Sequence, residues 1–131
     1  MPPTPRVRRF ELYEGSATTA GKDPAVLPVS RVSLPADNRL VVTFFIEFAG
    51  ADGAYSVEYA LLGPGAHREV TIGRDQLHAT DRNRLYQTNQ TIQLRIATPG
   101  PHEFRLYVNG ALLDRTMLTV SPPSETRGTE C

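Results

Sequence analysis

The stretch Thr98–Val120, TPGPHEFRLYVNGALLDRTMLTV, decides how the chain is read. From His102 onward, Phe104, Leu106 and Val108 alternate with Glu103, Arg105 and Tyr107, the period of a half-buried strand. Asn109-Gly110 supplies two residues that tolerate positive φ, so a type I′ turn and a returning strand are expected. That register pairs Leu106 with Leu113 and Arg105 with Asp114. It also aligns Met117 with the buried face and sends Leu118 and Val120 outward. Three outcomes fit this conflict: a bulge near Arg115 to Met117 that restores the phase, a strand crossing between sheets, or an exposed stripe of Leu112, Leu118 and Tyr107. The bulge is the expectation.

The same period of two recurs upstream. TIQLRIA places Ile92, Leu94 and Ile96 on one face, AYSVEYALL places Tyr55, Val57, Tyr59 and Leu61, and REVTIG places Val70 and Ile72. The most apolar run, Leu40–Phe48, buries Val42, Phe44, Ile46 and Phe48 if Thr43 and Glu47 face out, which leaves Val41 and Phe45 on the outer face. RRFELYE and VSRVSL read as edge strands. Turn formers punctuate the chain at short intervals, in EGSATTAGKDP, LPADN, AGADGA, LGPGA and TPGP, and leave little room for long helices. About seven to eight short strands imply an all-β fold, a two-sheet antiparallel β-sandwich. One segment lacks alternation: residues 73–90 are expected to form a long irregular loop, with Asp75 capping a helical turn through Leu77.

At 131 residues the chain suits one domain with a core that needs no covalent staples. Three prolines within Met1–Pro5 and the arginines that follow suggest a flexible arm over 1–8, and SPPSETRGTEC suggests a flexible tail over 122–131, with the sandwich at 9–121. Fourteen basic residues balance fourteen acidic ones, so no global field draws the chain to nucleic acid or an anionic membrane. No run is long and apolar enough to span a bilayer, and no apolar stretch follows the N-terminal arginines as in a secretory signal. The lone Cys131 excludes an intrachain disulfide and fits a reducing, cytoplasmic setting.

TPGPHEFRLYVNG followed by LLDRTMLTV resembles the closing hairpin of bacterial immunoglobulin-like sandwich domains, over roughly Thr91 to Val120. The resemblance implies an immunoglobulin-like fold and no particular activity, because such sandwiches serve adhesion, scaffolding and virion decoration alike. The chain departs from antibody-type domains in having no tryptophan and no cysteine pair.

No motif carries catalysis. His67, His78 and His102 sit in or beside turns without metal-ligand spacing and are expected on the surface, and there is no G-x-S-x-G elbow or phosphate-binding glycine loop. Asp23, Asp37 and Asp52 are scattered turn residues, whereas calcium needs several oxygens in one cluster. No metal or cofactor is expected. Two basic groupings remain: RVRR at Arg6–Arg9, and Arg74, Arg82 and Arg84 beside Asn83, Tyr86 and Asn89. Arginines with such neighbours can hold phosphates or stack on bases, but Asp75 and Asp81 offset them, so local salt bridges are the simpler reading.

These features point to a non-enzymatic protein-interaction or assembly module, a component of a larger bacterial or phage assembly, that binds a protein partner or itself. Val41, Phe45 and Tyr107 are the expected apolar anchors, with Arg82, Arg84 and Tyr86 as loop contacts. The alternatives are a carbohydrate- or calcium-dependent binding sandwich, and a small enzyme in which His67, His78 and Asp52 meet in space.

Overall fold

The computed structural model describes residues 2–17 and 19–123. Eight strands and no helix are found among them: β1 Arg6–Glu14, β2 Arg31–Ser33, β3 Arg39–Ala49, β4 Gly53–Leu62, β5 Val70–Ala79, β6 Tyr86–Arg95, β7 Gly100–Val108 and β8 Ala111–Ser121. They form a three-stranded sheet, β1-β3-β6, and a curled five-stranded sheet, β2-β8-β7-β4-β5. All pairings are antiparallel except one, since β2 runs parallel to β8 through Arg31–Thr119, Val32–Val120 and Ser33–Ser121. The expectation of purely antiparallel sheets is corrected at that edge.

The core lies where the two inner faces meet. From β3, Val42, Phe44, Ile46 and Phe48 are all fully buried, opposite Val57 and Tyr59 of β4 and Phe104, Leu106 and Val108 of β7. Phe44 is the hub. Its ring stacks on Tyr59 at 5.0 Å and on Phe10 at 6.2 Å, and Phe104 meets it edge-on at 5.3 Å.

The closing hairpin turns as expected, with Asn109 at φ 50° and Gly110 at φ 83°. The Asn109 side chain accepts the Ser56 amide at 2.9 Å, which ties the turn to β4. A bulge restores the phase of β8, but nearer the turn than expected. Tyr107 still opposes Leu112, then Leu106 opposes Asp114, so Leu113 is the extra residue. Leu118 and Val120 therefore point inward and are buried, Met117 is exposed, and Arg105 faces Arg115 rather than Asp114.

Two further bulges obey the same logic. In β1 the register shifts between Val7 and Arg9, so Val7 and Phe10 both face the core while Arg8 and Arg9 are left outside. In β5 the shift opposite Tyr59 and Ala60 makes Ile72 the extra residue, and Val70, expected inward, overhangs the core edge and is exposed.

The long loop over 73–90 is corrected. It holds most of β5 and half of β6, and only residues 80–85 turn between them. Both strands are sheet edges whose inward positions include Gly73, Asp75, Thr88 and Gln90, so the hydrophobic period is absent although the pairing is regular. Their register comes from β4 and β3, which carry the pattern. The arm is shorter than expected too: Arg6 and Val7 pair with Ala49 and Phe48, so strand structure begins at Arg6. Most of the tail, including Cys131, lies outside the described residues. No helix of the described residues is long and apolar enough to cross a membrane.

Candidate functional site

Because β1 and β6 both run antiparallel to β3, their first residues arrive at the same end of it. Arg6 opposes Ala49 there, and Phe48 opposes Tyr86. Two strand spacings, about 10 Å, separate the start of β1 from the start of β6. This brings part of each basic grouping onto one cleft of about 640 Å³, lined by Arg6 and Arg8 on one side and Arg82 and Arg84 on the other, while Arg9 pairs with Glu11 at 2.8 Å and Arg74 with Glu58 at 3.0 Å, as local salt bridges. Pro3 and Leu85 complete its walls, with Gly50 and Asn83 between.

Local chemistry fixes each wall. The bulge in β1 puts Arg8 out of phase and turns it from the core. The 80–85 turn is built by Asp81, whose carboxylate accepts the Asn83 amide at 2.9 Å while its carbonyl accepts the Arg84 amide at 3.1 Å. Tyr86 plugs that turn from beneath: its hydroxyl accepts the Thr80 and Asp81 amides, both at 2.9 Å. The Thr80 side chain and these amides hold the phenol below its usual pKa. The arm is fastened by Tyr55, whose hydroxyl donates to the Pro3 carbonyl at 2.6 Å and accepts the Asp52 amide at 2.9 Å.

The cleft is electrostatically one-sided. No carboxylate lines it among the described residues. Arg8 approaches Glu47 at 4.0 Å, and Glu47 is itself held by Gln87 at 2.9 Å. Arg6, Arg82 and Arg84 make no ion pair among the described residues. Asp75, expected to offset them, sits well up β5 opposite Val57, and the Asp81 carboxylate is turned to its own loop. Four exposed guanidiniums therefore share one concavity on a chain of zero formal charge.

Of the expected contacts, Arg82 and Arg84 line the cleft and Tyr86 supports it from below. The apolar anchors do not join them. Phe45 is fully buried: residues 15–17 and 19–29 fold over the outer face of the three-stranded sheet, and Phe45 packs there with Tyr13 and Ala20 beneath the Arg9 guanidinium, 4.6 Å from its ring centre. It is thus no exposed anchor. Thr43 pins the same loop, donating to the Gly15 carbonyl at 2.7 Å and accepting the Ala17 amide at 3.0 Å. Val41 lies half-buried on that outer face. Tyr107 is on the other sheet, where its hydroxyl donates to Glu69 at 2.7 Å; Arg105 bridges Glu69 at 2.8 Å and Glu103 at 2.6 Å. The Tyr107 and Arg105 hydrogen bonds hold Glu69 below the usual carboxylate range.

Among the histidines, His102 is corrected: it is buried on the inner face of β7, its Nδ1 donating to the Gly100 carbonyl at 2.9 Å. His78 opposes Ala54 near Asp52, while His67 lies in the β4–β5 connection at the far end of that hairpin, so the three groups weighed for catalysis do not meet. No group of three or more metal-ligating side chains occurs among the described residues. Sequence reading missed Arg6, Arg8 and Leu85 as part of a site. The RVRR run was visible, but its meeting with Arg82 and Arg84 depends on strand order.

No protein-family profile matches the chain, and no curated protein matches it in sequence. Solved structures are similar in fold. The β-D-glucoside glucohydrolase of Trichoderma reesei matches at 14% identity over 90% of this chain and 19% of its own, with a TM-score of 0.55. The β-glucosidase of Listeria innocua matches at 14% identity over 88% and 16%, with a TM-score of 0.51. The alkylpurine DNA glycosylase AlkC of Pseudomonas fluorescens is looser, at 16% identity over 88% and 30%, with a TM-score of 0.49. The chain spans less than a third of each of these proteins. At such identities the likeness concerns the fold of the sandwich alone.

Proposed function

We propose that the chain is a non-enzymatic interaction module, an immunoglobulin-like sandwich that acts in the cytoplasm and docks a protein partner, or a copy of itself, within a larger assembly. The observation that carries this reading is the convergence of Arg6, Arg8, Arg82 and Arg84 on one cleft that no carboxylate of the described residues lines. Clustered like charges repel one another, so the arrangement gains nothing for folding and suits an anionic complement. The cleft is walled by the arm and by an inter-strand turn, the parts of a sandwich that present side chains without disturbing the core. No aromatic side chain of the described residues lines it, which counts against a sugar-stacking platform.

The test is site-specific photo-crosslinking in cells that make the protein. A photoreactive residue at Asn83, inside the cleft, is expected to give a defined covalent adduct with a partner or a second copy. The same residue at His67, on the far end of the β4–β5 hairpin, serves as the control. Equal labelling from both positions, or none from either, refutes the reading.

A further inference from the structure

We infer that the occupant of the four-arginine cleft is an extended acidic peptide segment of a protein partner, with a carboxylate for each pair of arginines and an apolar side chain seated on Leu85; this rests on the reading of the chain as an interaction module. Size is the first argument. At about 640 Å³ the cleft matches those that enclose ligands of many atoms, far more than one phosphate or carboxylate fills. The arrangement of charge is the second. Arg6 and Arg8 are carried on β1, and Arg82 and Arg84 on the turn before β6, so the cations stand in two pairs on opposite walls rather than around one point. Guanidinium forks bind carboxylates in bidentate fashion, and two separated pairs match anions spaced along a chain.

The third argument separates peptide from nucleic acid. Single-stranded nucleic acid is held by a cationic groove together with aromatic side chains on which the bases stack. No aromatic residue among the described ones lines this cleft. Tyr86, the aromatic beside it, has its hydroxyl engaged by the Thr80 and Asp81 amides and lies half-buried. What the walls offer besides charge is aliphatic: Pro3, and Leu85 with 46% of its surface exposed. An exposed leucine among arginines fits a peptide that mixes acidic and apolar residues, and it gives a nucleotide chain nothing to stack upon.

Fluorescence anisotropy on the full chain tests the inference, with three probes: a labelled Glu/Asp-rich peptide with a central leucine, the same peptide with serine in that place, and an oligothymidylate of equal charge. The leucine peptide is expected to bind at low salt and to weaken as salt rises. Arg82→Glu with Arg84→Glu is expected to weaken it by about tenfold or more. Arg39→Glu with Arg95→Glu changes the net charge equally at the opposite end of the three-stranded sheet and is expected to leave binding unchanged. Leu85→Ser is expected to abolish the advantage of the leucine peptide over the serine one. Oligothymidylate binding as tightly as the peptide, equal losses in the two arginine pairs, or no peptide binding at all overturns the inference. A chain that binds no acidic peptide yet still crosslinks a partner from position 83 loses this occupant and remains a module; one that does neither loses both.

Discussion

Gly21 sits at φ 79° directly against the ring of Phe45, and a Cβ built there would stand 2.5 Å from it. Both the backbone region and the contact exclude any larger residue, so Gly21→Ala is expected to cost ~2–4 kcal/mol by forcing the 19–29 segment off the sheet. Thermal unfolding reads the loss, and an unchanged midpoint would show that the segment does not hold Phe45 in place. Tyr59 raises a different question at the same scale. Its hydroxyl is buried without a hydrogen-bond partner among the described residues, and burial pushes its pKa up to about 12. Thr88 tempers the rise, yet the two hydroxyls do not meet hydrogen-bond geometry. Below pH 10 the folded and unfolded chains both keep this proton, and nothing is lost. Between pH 10 and about 12 only the unfolded chain releases it, so stability falls by up to about 3 kcal/mol and levels off above. Tyr59→Phe is expected to be neutral or slightly stabilising at neutral pH and to flatten this alkaline decline. Part of the decline remains in the variant, because burial also raises Tyr13. Denaturant midpoints measured from pH 8 to 12 on both proteins settle it, and parallel curves would refute the assignment.

At the scale of strands, the bulges govern which side chains enter the core. In β8 the extra residue Leu113 allows a run that begins with Leu112 outward to end with Leu118 and Val120 inward. Deleting Leu113 restores simple alternation and keeps those two buried, so the expected cost is the partial burial of one leucine, about 1–2 kcal/mol. Inserting an alanine between Met117 and Leu118 reverses the phase, turns both residues to solvent and is expected to abolish cooperative folding. Circular dichroism melts of the two variants check the contrast, and similar behaviour would sink the argument. The same features mark how far the sequence could be read. Strands β3, β4 and β7 were legible because each places hydrocarbon at every second position. The need for a bulge in β8 was legible too, since Leu118 and Val120 had to be buried, but its position depends on how Asp114 and Leu113 share the space beside Leu106. VRRF at Val7–Phe10 carried a comparable signal in its two apolar residues three apart. The start of β5 and the end of β6 were legible in REVTIG and TIQLRIA, but the rest of both edge strands was hidden because Asp75, Thr88 and Gln90 stand at inward positions.

At the scale of the whole molecule, formal neutrality conceals an uneven distribution of charge. The outer face of the five-stranded sheet is internally compensated, since Arg105 bridges Glu69 and Glu103, and Arg115 approaches Glu103 at 3.9 Å. The end of the sandwich that holds the cleft is not: Arg6, Arg82 and Arg84 lack acidic partners among the described residues, and Arg8 has only a long contact with Glu47. Glu69 and Glu103 on that outer face are already engaged by Arg105, and no carboxylate of the described residues lines the cleft. The field of its arginines reaches about one Debye length, ~10 Å at 0.1 M salt, enough to orient an approaching anionic surface toward this end. The chain is therefore expected to be retained on a sulfonate cation exchanger at neutral pH and low salt, in spite of its zero net charge. Arg82→Glu with Arg84→Glu should abolish retention, whereas Arg39→Glu with Arg95→Glu, equal in charge change, should shift elution far less. Neither pair contributes to the core, so both variants should unfold within a few degrees of the parent, the first no earlier because it relieves repulsion. Equal elution shifts for the two pairs would mean that the resin senses total charge only, and that the cleft has no field of its own.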